Sequence, residues 1–65
     1  MQIFVNGDQH ELEAETLAAA LSALGYGERK IATAVNGRFV PQGARLSTRL
    51  ASGDQIEVVA PMQGG

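Results

Sequence analysis

Hydrophobic positions in this chain first alternate, then recur at helical spacing, then alternate again. In "MQIFV" Met1, Ile3 and Val5 fall on one face of an extended segment, and Gln2 and Phe4 on the other. Asn6-Gly7 follows, a pair suited to a turn with positive φ. "QHELE" then runs back as a second, more polar strand with Leu12 turned inward. In "ETLAAALSALG" Leu17, Ala20, Leu21 and Leu24 stand at i, i+3, i+4 and i+7, which predicts a helix over about Leu17 to Leu24. Thr16 is placed to cap its N-terminus, and Gly25 stands where a left-handed residue closes a helix.

"KIATAVNGRFVP" carries the second hairpin signal, again with Asn-Gly at its tip, and Pro41 ends that strand or confines it to an edge. "QGARLSTRLASGD" has no regular period; a short turn of helix carrying Leu46 and Leu50 is expected there, followed by a turn at "SGD". "QIEVVA" is the last strand, with Ile56 and Val58 on one face. A single helix builds a core only by covering one face of a sheet. The first and last strands have the most apolar inward faces, so they belong side by side at its centre. The predicted class is α+β: a ubiquitin-like β-grasp, a mixed sheet of four to five strands covered on one face by one main helix. Residues 1–60 form the domain, and residues 61–65 are expected to be a flexible tail ending in Gly-Gly.

Composition narrows the chemistry. Sixty-five residues make one domain, and an apolar fraction of 45% suits a packed core. The chain has no cysteine, which removes thiolate metal sites, disulfides and a cysteine nucleophile. Net charge is −2 and the five cationic residues form no run, so a nucleic-acid partner is not expected. No stretch approaches the roughly 20 apolar residues of a membrane span, and "MQIFVNGD" lacks the basic start of a secretory signal; no membrane partner and a cytoplasmic location are the expectations. There is no Gly-rich phosphate loop. His10 reads as a surface residue. Glu11, Glu13 and Glu15 read as a solvated strand face rather than a metal-binding row. Ser22 and Ser47 have no evident histidine partner. The chain is therefore not expected to be an enzyme, or to bind a cofactor or metal itself; it acts through partners.

"AVNGRFVP", then "SGDQIEVV", then a final "GG" resembles the ThiS family, the sulfur carriers of thiamine biosynthesis, over nearly the whole chain. The resemblance implies that the Gly65 carboxylate, with Gly64 beside it, is adenylated by a ubiquitin-activating-like adenylyltransferase that uses ATP. It is then converted to a thiocarboxylate with sulfur from a donor enzyme, and thiazole synthase takes that sulfur. Three alternatives stay open: a small subunit of the molybdopterin-synthase type, a ubiquitin-like modifier joined to lysines, and a β-grasp binding module without terminal chemistry.

Elementary chemistry fits this role. A terminal carboxylate has a pKa of about 3.5, so it is ionised at neutral pH and a poor electrophile until one oxygen becomes a leaving group. The five residues from Pro61 to Gly65 reach at most about 17 Å. A narrow partner channel admits a backbone without Cβ atoms more readily than one with side chains. A docking surface is expected on the sheet face away from the helix. The pattern puts Phe4 and Val59 there on adjacent central strands, with Ala34 opposite Phe39 and Ala32 on the same face.

Overall fold

The computed structural model describes residues 1–27 and 29–60. The expected tail, 61–65, and with it Gly64 and Gly65, lies outside the described residues, as does Glu28.

The chain runs β1 (Gln2–Val5), β2 (Asp8–Glu11), α1 (Leu17–Ala23), β3 (Ala32–Val35), β4 (Arg38–Val40), a 3₁₀ turn (Gln42–Ser47) and β5 (Gln55–Val59). The five strands form one sheet in the order β2-β1-β5-β3-β4. β1 and β5 run parallel, and every other pairing is antiparallel. This is the mixed β-grasp sheet expected from the pattern, with β5 central and β1 at its side. Ile3, Val5, Ile56, Val58 and Val40 point from the sheet into the core, where they meet Leu17, Ala20 and Leu21 of α1.

Local rules account for the ends of α1. The Thr16 hydroxyl accepts from the Ala19 amide at 3.1 Å, satisfying a first-turn donor that has no partner within the helix. The helix stops one residue earlier than expected: Leu24 is the cap, and Gly25 follows with φ of 92°. The Tyr26 amide donates to Leu21 O and the Gly25 amide to Ser22 O, the paired bonds that close a helix through a left-handed glycine. Strand β2 is also shorter than "QHELE". It starts at Asp8 and ends at Glu11, with Leu12 adding one last exchange: its amide donates to Met1 O, and the Met1 amine donates to Leu12 O, both at 3.0 Å. Beyond that point the chain leaves β1 and is stitched to the other connection instead, through Leu50 N–H to Glu15 O and Leu17 N–H to Thr48 O.

Both Asn-Gly pairs form their turns, with Asn6 and Asn36 each at φ of 51°. Each asparagine also fastens β5. Asn6 Nδ2 donates to Val58 O at 3.1 Å, and Asn6 Oδ1 accepts from the Val58 amide at 2.9 Å. The β1–β5 ladder would next require the backbone of β1 at this point, but the chain has already turned away. The side-chain amide, itself a peptide-like donor and acceptor, completes the ladder in its place. Asn36 does the same at the start of β5, with Oδ1 accepting from the Gln55 amide and Nδ2 donating to Asp54.

The 3₁₀ turn packs on α1. Its two leucines part company: Leu50, just beyond it, packs against the core, whereas Leu46 is exposed. Arg45 ties the turn to β3, its Nη2 donating to Ile31 O and its Nε to Thr33 Oγ1 at 3.1 Å. Thr33 is buried, and its hydroxyl donates to Val40 O at 2.8 Å. No described helix is long and apolar enough to cross a membrane.

Candidate functional site

The face of the sheet away from α1 is set by strand alternation. Because Val40, Thr33, Ile56 and Val58 point inward, Phe39, Ala32, Ala34, Gln55, Glu57 and Val59 point outward. Phe39 stands opposite Ala34, as the two-residue hairpin requires, and Ala32 stands opposite Val59. Phe39 is 70% exposed and Val59 63%. With only alanines between them, the two large side chains border one apolar strip across β4, β3 and the end of β5.

Phe4 does not join this strip. It lies on the same face of β1, next to β5, but its neighbour there is Gln55. Val59 is four positions further along, about 13 Å at the rise of a strand. Glu57 stands between, beside Ala34. Phe4 is also half-buried, with Gln9 of β2 as its other neighbour. The expected four-residue surface thus divides into a strip of Phe39, Ala34 and Val59, with Ala32, and a separate Phe4.

One group escaped the sequence pattern. At the end of the sheet where β5 finishes, Arg29, Lys30, Ile31, Ala32, Gln42, Arg45 and Val59 line an open depression of about 520 Å³. Three of the chain's five cationic side chains meet there. Arg29 and Lys30 are adjacent in sequence and visible as a pair; Arg45 arrives only because the 3₁₀ turn is bonded to β3. Among the described residues no cluster of three His, Cys, Asp or Glu is placed to hold a metal ion. The depression gathers cationic and apolar side chains at one end of the sheet.

The whole chain is similar to known proteins. The model of the ThiS family matches residues 3–65. A thiazole synthase of Paramagnetospirillum magneticum is 33% identical over the whole chain, and a thiazole synthase of Magnetococcus marinus is 39% identical. The chain spans 20% of the length of each of these two proteins. The crystal structure of a thiamine biosynthesis protein (ThiS) from Geobacter metallireducens superposes with a TM-score of 0.79 at 30% identity, all of both chains being covered. The solution structure of a thiamine biosynthesis protein from the same organism gives 0.77 at 29% identity, covering all of this chain and 88% of that one.

Proposed function

The chain belongs to the ThiS family, and from that premise we propose that it is a sulfur carrier of thiamine biosynthesis which holds its sulfur at the carboxylate of Gly65. The observation that carries this reading is the extent of the family match, which runs through Gly64 and Gly65. An ATP-using adenylyltransferase of the ubiquitin-activating type activates the carboxylate: a carboxylate oxygen attacks the α-phosphate, pyrophosphate leaves, and a mixed anhydride forms. Sulfide-level sulfur supplied by a donor enzyme then attacks the acyl carbon, the bond to AMP breaks, and a thiocarboxylate is left. In this reading the chain is a co-substrate of its partner enzymes. It brings a docking surface and an end free of side chains, and the partners bring the nucleotide pocket and the bases.

Thiazole synthase is the acceptor in this reading. A segment similar to the whole of this chain makes up a fifth of two proteins of that name, and a covalent join between carrier and acceptor raises their effective concentration. The strip from Phe39 to Val59 is where the enzymes dock. It lies on β3, β4 and β5, so a partner seated there is in fixed register with the strand that leads to the reacting end.

The test is intact mass after incubation with ATP, the activating enzyme and a sulfur donor. The chain gains the mass of one oxygen replaced by sulfur. A variant with one residue added after Gly65 folds but does not load, because its carboxylate is displaced by about 3.5 Å from an attack geometry that tolerates far less. Equal loading of the extended variant, or no loading of the chain by any such enzyme, overturns the proposal.

A further inference from the structure

Among the described residues, charge is unevenly distributed across the sheet. Four of the seven carboxylates, those of Asp8, Glu11, Glu13 and Glu15, belong to β2 or the segment after it, at one edge of the sheet. Arg29, Lys30 and Arg45 meet on the other side, where β3 and the end of β5 border the depression. Two cationic side chains remain elsewhere, and one of them, Arg49, faces Glu15 at 3.5 Å. Arg29 and Lys30 are exposed and form no ion pair among the described residues. Arg45 is half-buried and already oriented by Ile31 O and Thr33 Oγ1, so less side-chain freedom is lost when its guanidinium meets an anion.

The same depression is lined by Ala32 and Val59, which belong to the apolar strip. A cationic pocket on a net acidic chain, continuous with an apolar docking strip, matches a surface of the opposite pattern. We infer that Arg29, Lys30 and Arg45 form an electrostatic docking site for an acidic segment of the protein partner that covers the Phe39–Val59 strip. The inference rests on the sulfur-carrier reading and deepens it by giving the partner's contact surface a sign and a place. The acidic segment lies at the partner's rim nearest the end of β5, at the mouth through which the chain enters. The apolar strip supplies most of the contact, and the charges set the rate of encounter and the direction of approach. A polynucleotide does not fit the same site, because the acidic β2 edge and the net charge of −2 oppose its extended row of phosphates.

The experiment compares the unsubstituted chain with the double variant Arg29→Glu/Lys30→Glu. Both side chains are exposed, and circular dichroism confirms that the variant folds. Arg45 is left in place because it also holds the 3₁₀ turn. Association with the activating enzyme is followed by stopped flow over a salt series, and loading is followed by intact mass. The double variant associates at least about tenfold more slowly at low salt, and its rate loses most of its salt dependence. The KM for loading rises by a similar factor while kcat stays within about twofold, since the reacting end is untouched. The neutral variant Arg29→Gln/Lys30→Gln falls between the two. Failure of the unsubstituted chain to load would sink the carrier reading itself. Normal loading by both proteins with equal KM and equal salt slopes would sink the docking site alone. A fall in KM on charge reversal, or saturable binding of inorganic phosphate that shifts the NMR signals of these three side chains, would also overturn it, in favour of an intramolecular or small-anion contact.

Discussion

Asn6→Gly separates the two tasks that Asn6 performs. Its backbone sits at φ of 51°, and its side chain exchanges two hydrogen bonds with the backbone of Val58. Glycine adopts that φ without strain, so Asn6→Gly removes the side-chain clamp and leaves the turn intact. Each lost bond is worth about 0.5–1.5 kcal/mol net. Two of them give about 1–3 kcal/mol, less whatever water recovers at this half-open position. A domain of this size is stable by roughly 3–10 kcal/mol, and about 1 kcal/mol moves its melting temperature by about 4–8 °C. The expected fall is about 5–15 °C for Asn6→Gly. Asn6→Ala falls further, because it loses the same bonds and adds a left-handed penalty of about 1 kcal/mol or more. The assay is thermal unfolding by circular dichroism, with hydrogen exchange read at the Val58 amide. That amide loses protection in both variants, while the amide of Ile3, in the β1–β2 hairpin, keeps most of its own relative to global stability. Equal melting temperatures for Asn6→Gly and the unsubstituted chain, with unchanged protection at Val58, would show that the clamp contributes nothing and that β5 is held by its backbone alone.

Four further outcomes are expected. Leu21→Ala, at a position 3% exposed on the buried face of α1, costs about 2–5 kcal/mol, and urea unfolding reads it as a lower midpoint with little change in slope. Phe39→Asp leaves the melting temperature within a few degrees, because the ring is 70% exposed, but weakens binding to the activating enzyme; calorimetric titration giving equal affinities would remove Phe39 from the docking strip. Thr33→Val leaves the Arg45 Nε donor without its Thr33 acceptor and Val40 O without its hydroxyl donor, for a loss of about 1–3 kcal/mol in thermal unfolding. The Met1 amine, which donates toward Glu11 at 3.1 Å and Glu13 at 3.3 Å, has its pKa raised above 8.0, chiefly by the Glu11 carboxylate and against a smaller effect of burial. Its contribution to stability is therefore full below pH 8 and is lost as pH rises through the raised value; acetylating the amine abolishes that alkaline dependence.

Much of the fold could be read from the chain because short-range rules and the tertiary arrangement agree. The two Asn-Gly pairs marked both hairpins, Thr16 and Gly25 bracketed the helix, and the Leu17/Ala20/Leu21 stripe identified its buried face. Alternation also placed Phe39 and Val59 outward. It could not say how far along the sheet each one lies, since that depends on the offset between β1 and β5. That offset, fixed by Phe4 beside Gln55, is what separates Phe4 from the strip. The end of β2 was misjudged for a related reason: "QHELE" keeps its alternation past Glu11, but the chain there leaves β1 for Leu50 and Thr48, contacts that are distant in sequence. The spacing that grouped Leu46 with Leu50 carries no information about which of them a 3₁₀ turn exposes. Arg45 was the hardest to see. Its role depends on two acceptors, Thr33 on β3 and Ile31 just before it, and nothing in "QGARLS" announces either.

Position within the sheet bears on the proposed reading, in which the chain presents its end to an enzyme. β5 has a strand on each side, β1 and β3, and an asparagine side chain fastens it near each end. It is the central strand of the sheet and also the one from which the chain continues. Val59 belongs at once to β5, the apolar strip and the cationic depression. In that reading a partner that grips the strip measures distance from the central strand, and every later residue adds at most about 3.5 Å to that measure. Val59 and Ala32 are the part of the strip that this central strand fixes directly, whereas Phe39, on the edge strand β4, is held to it through β3.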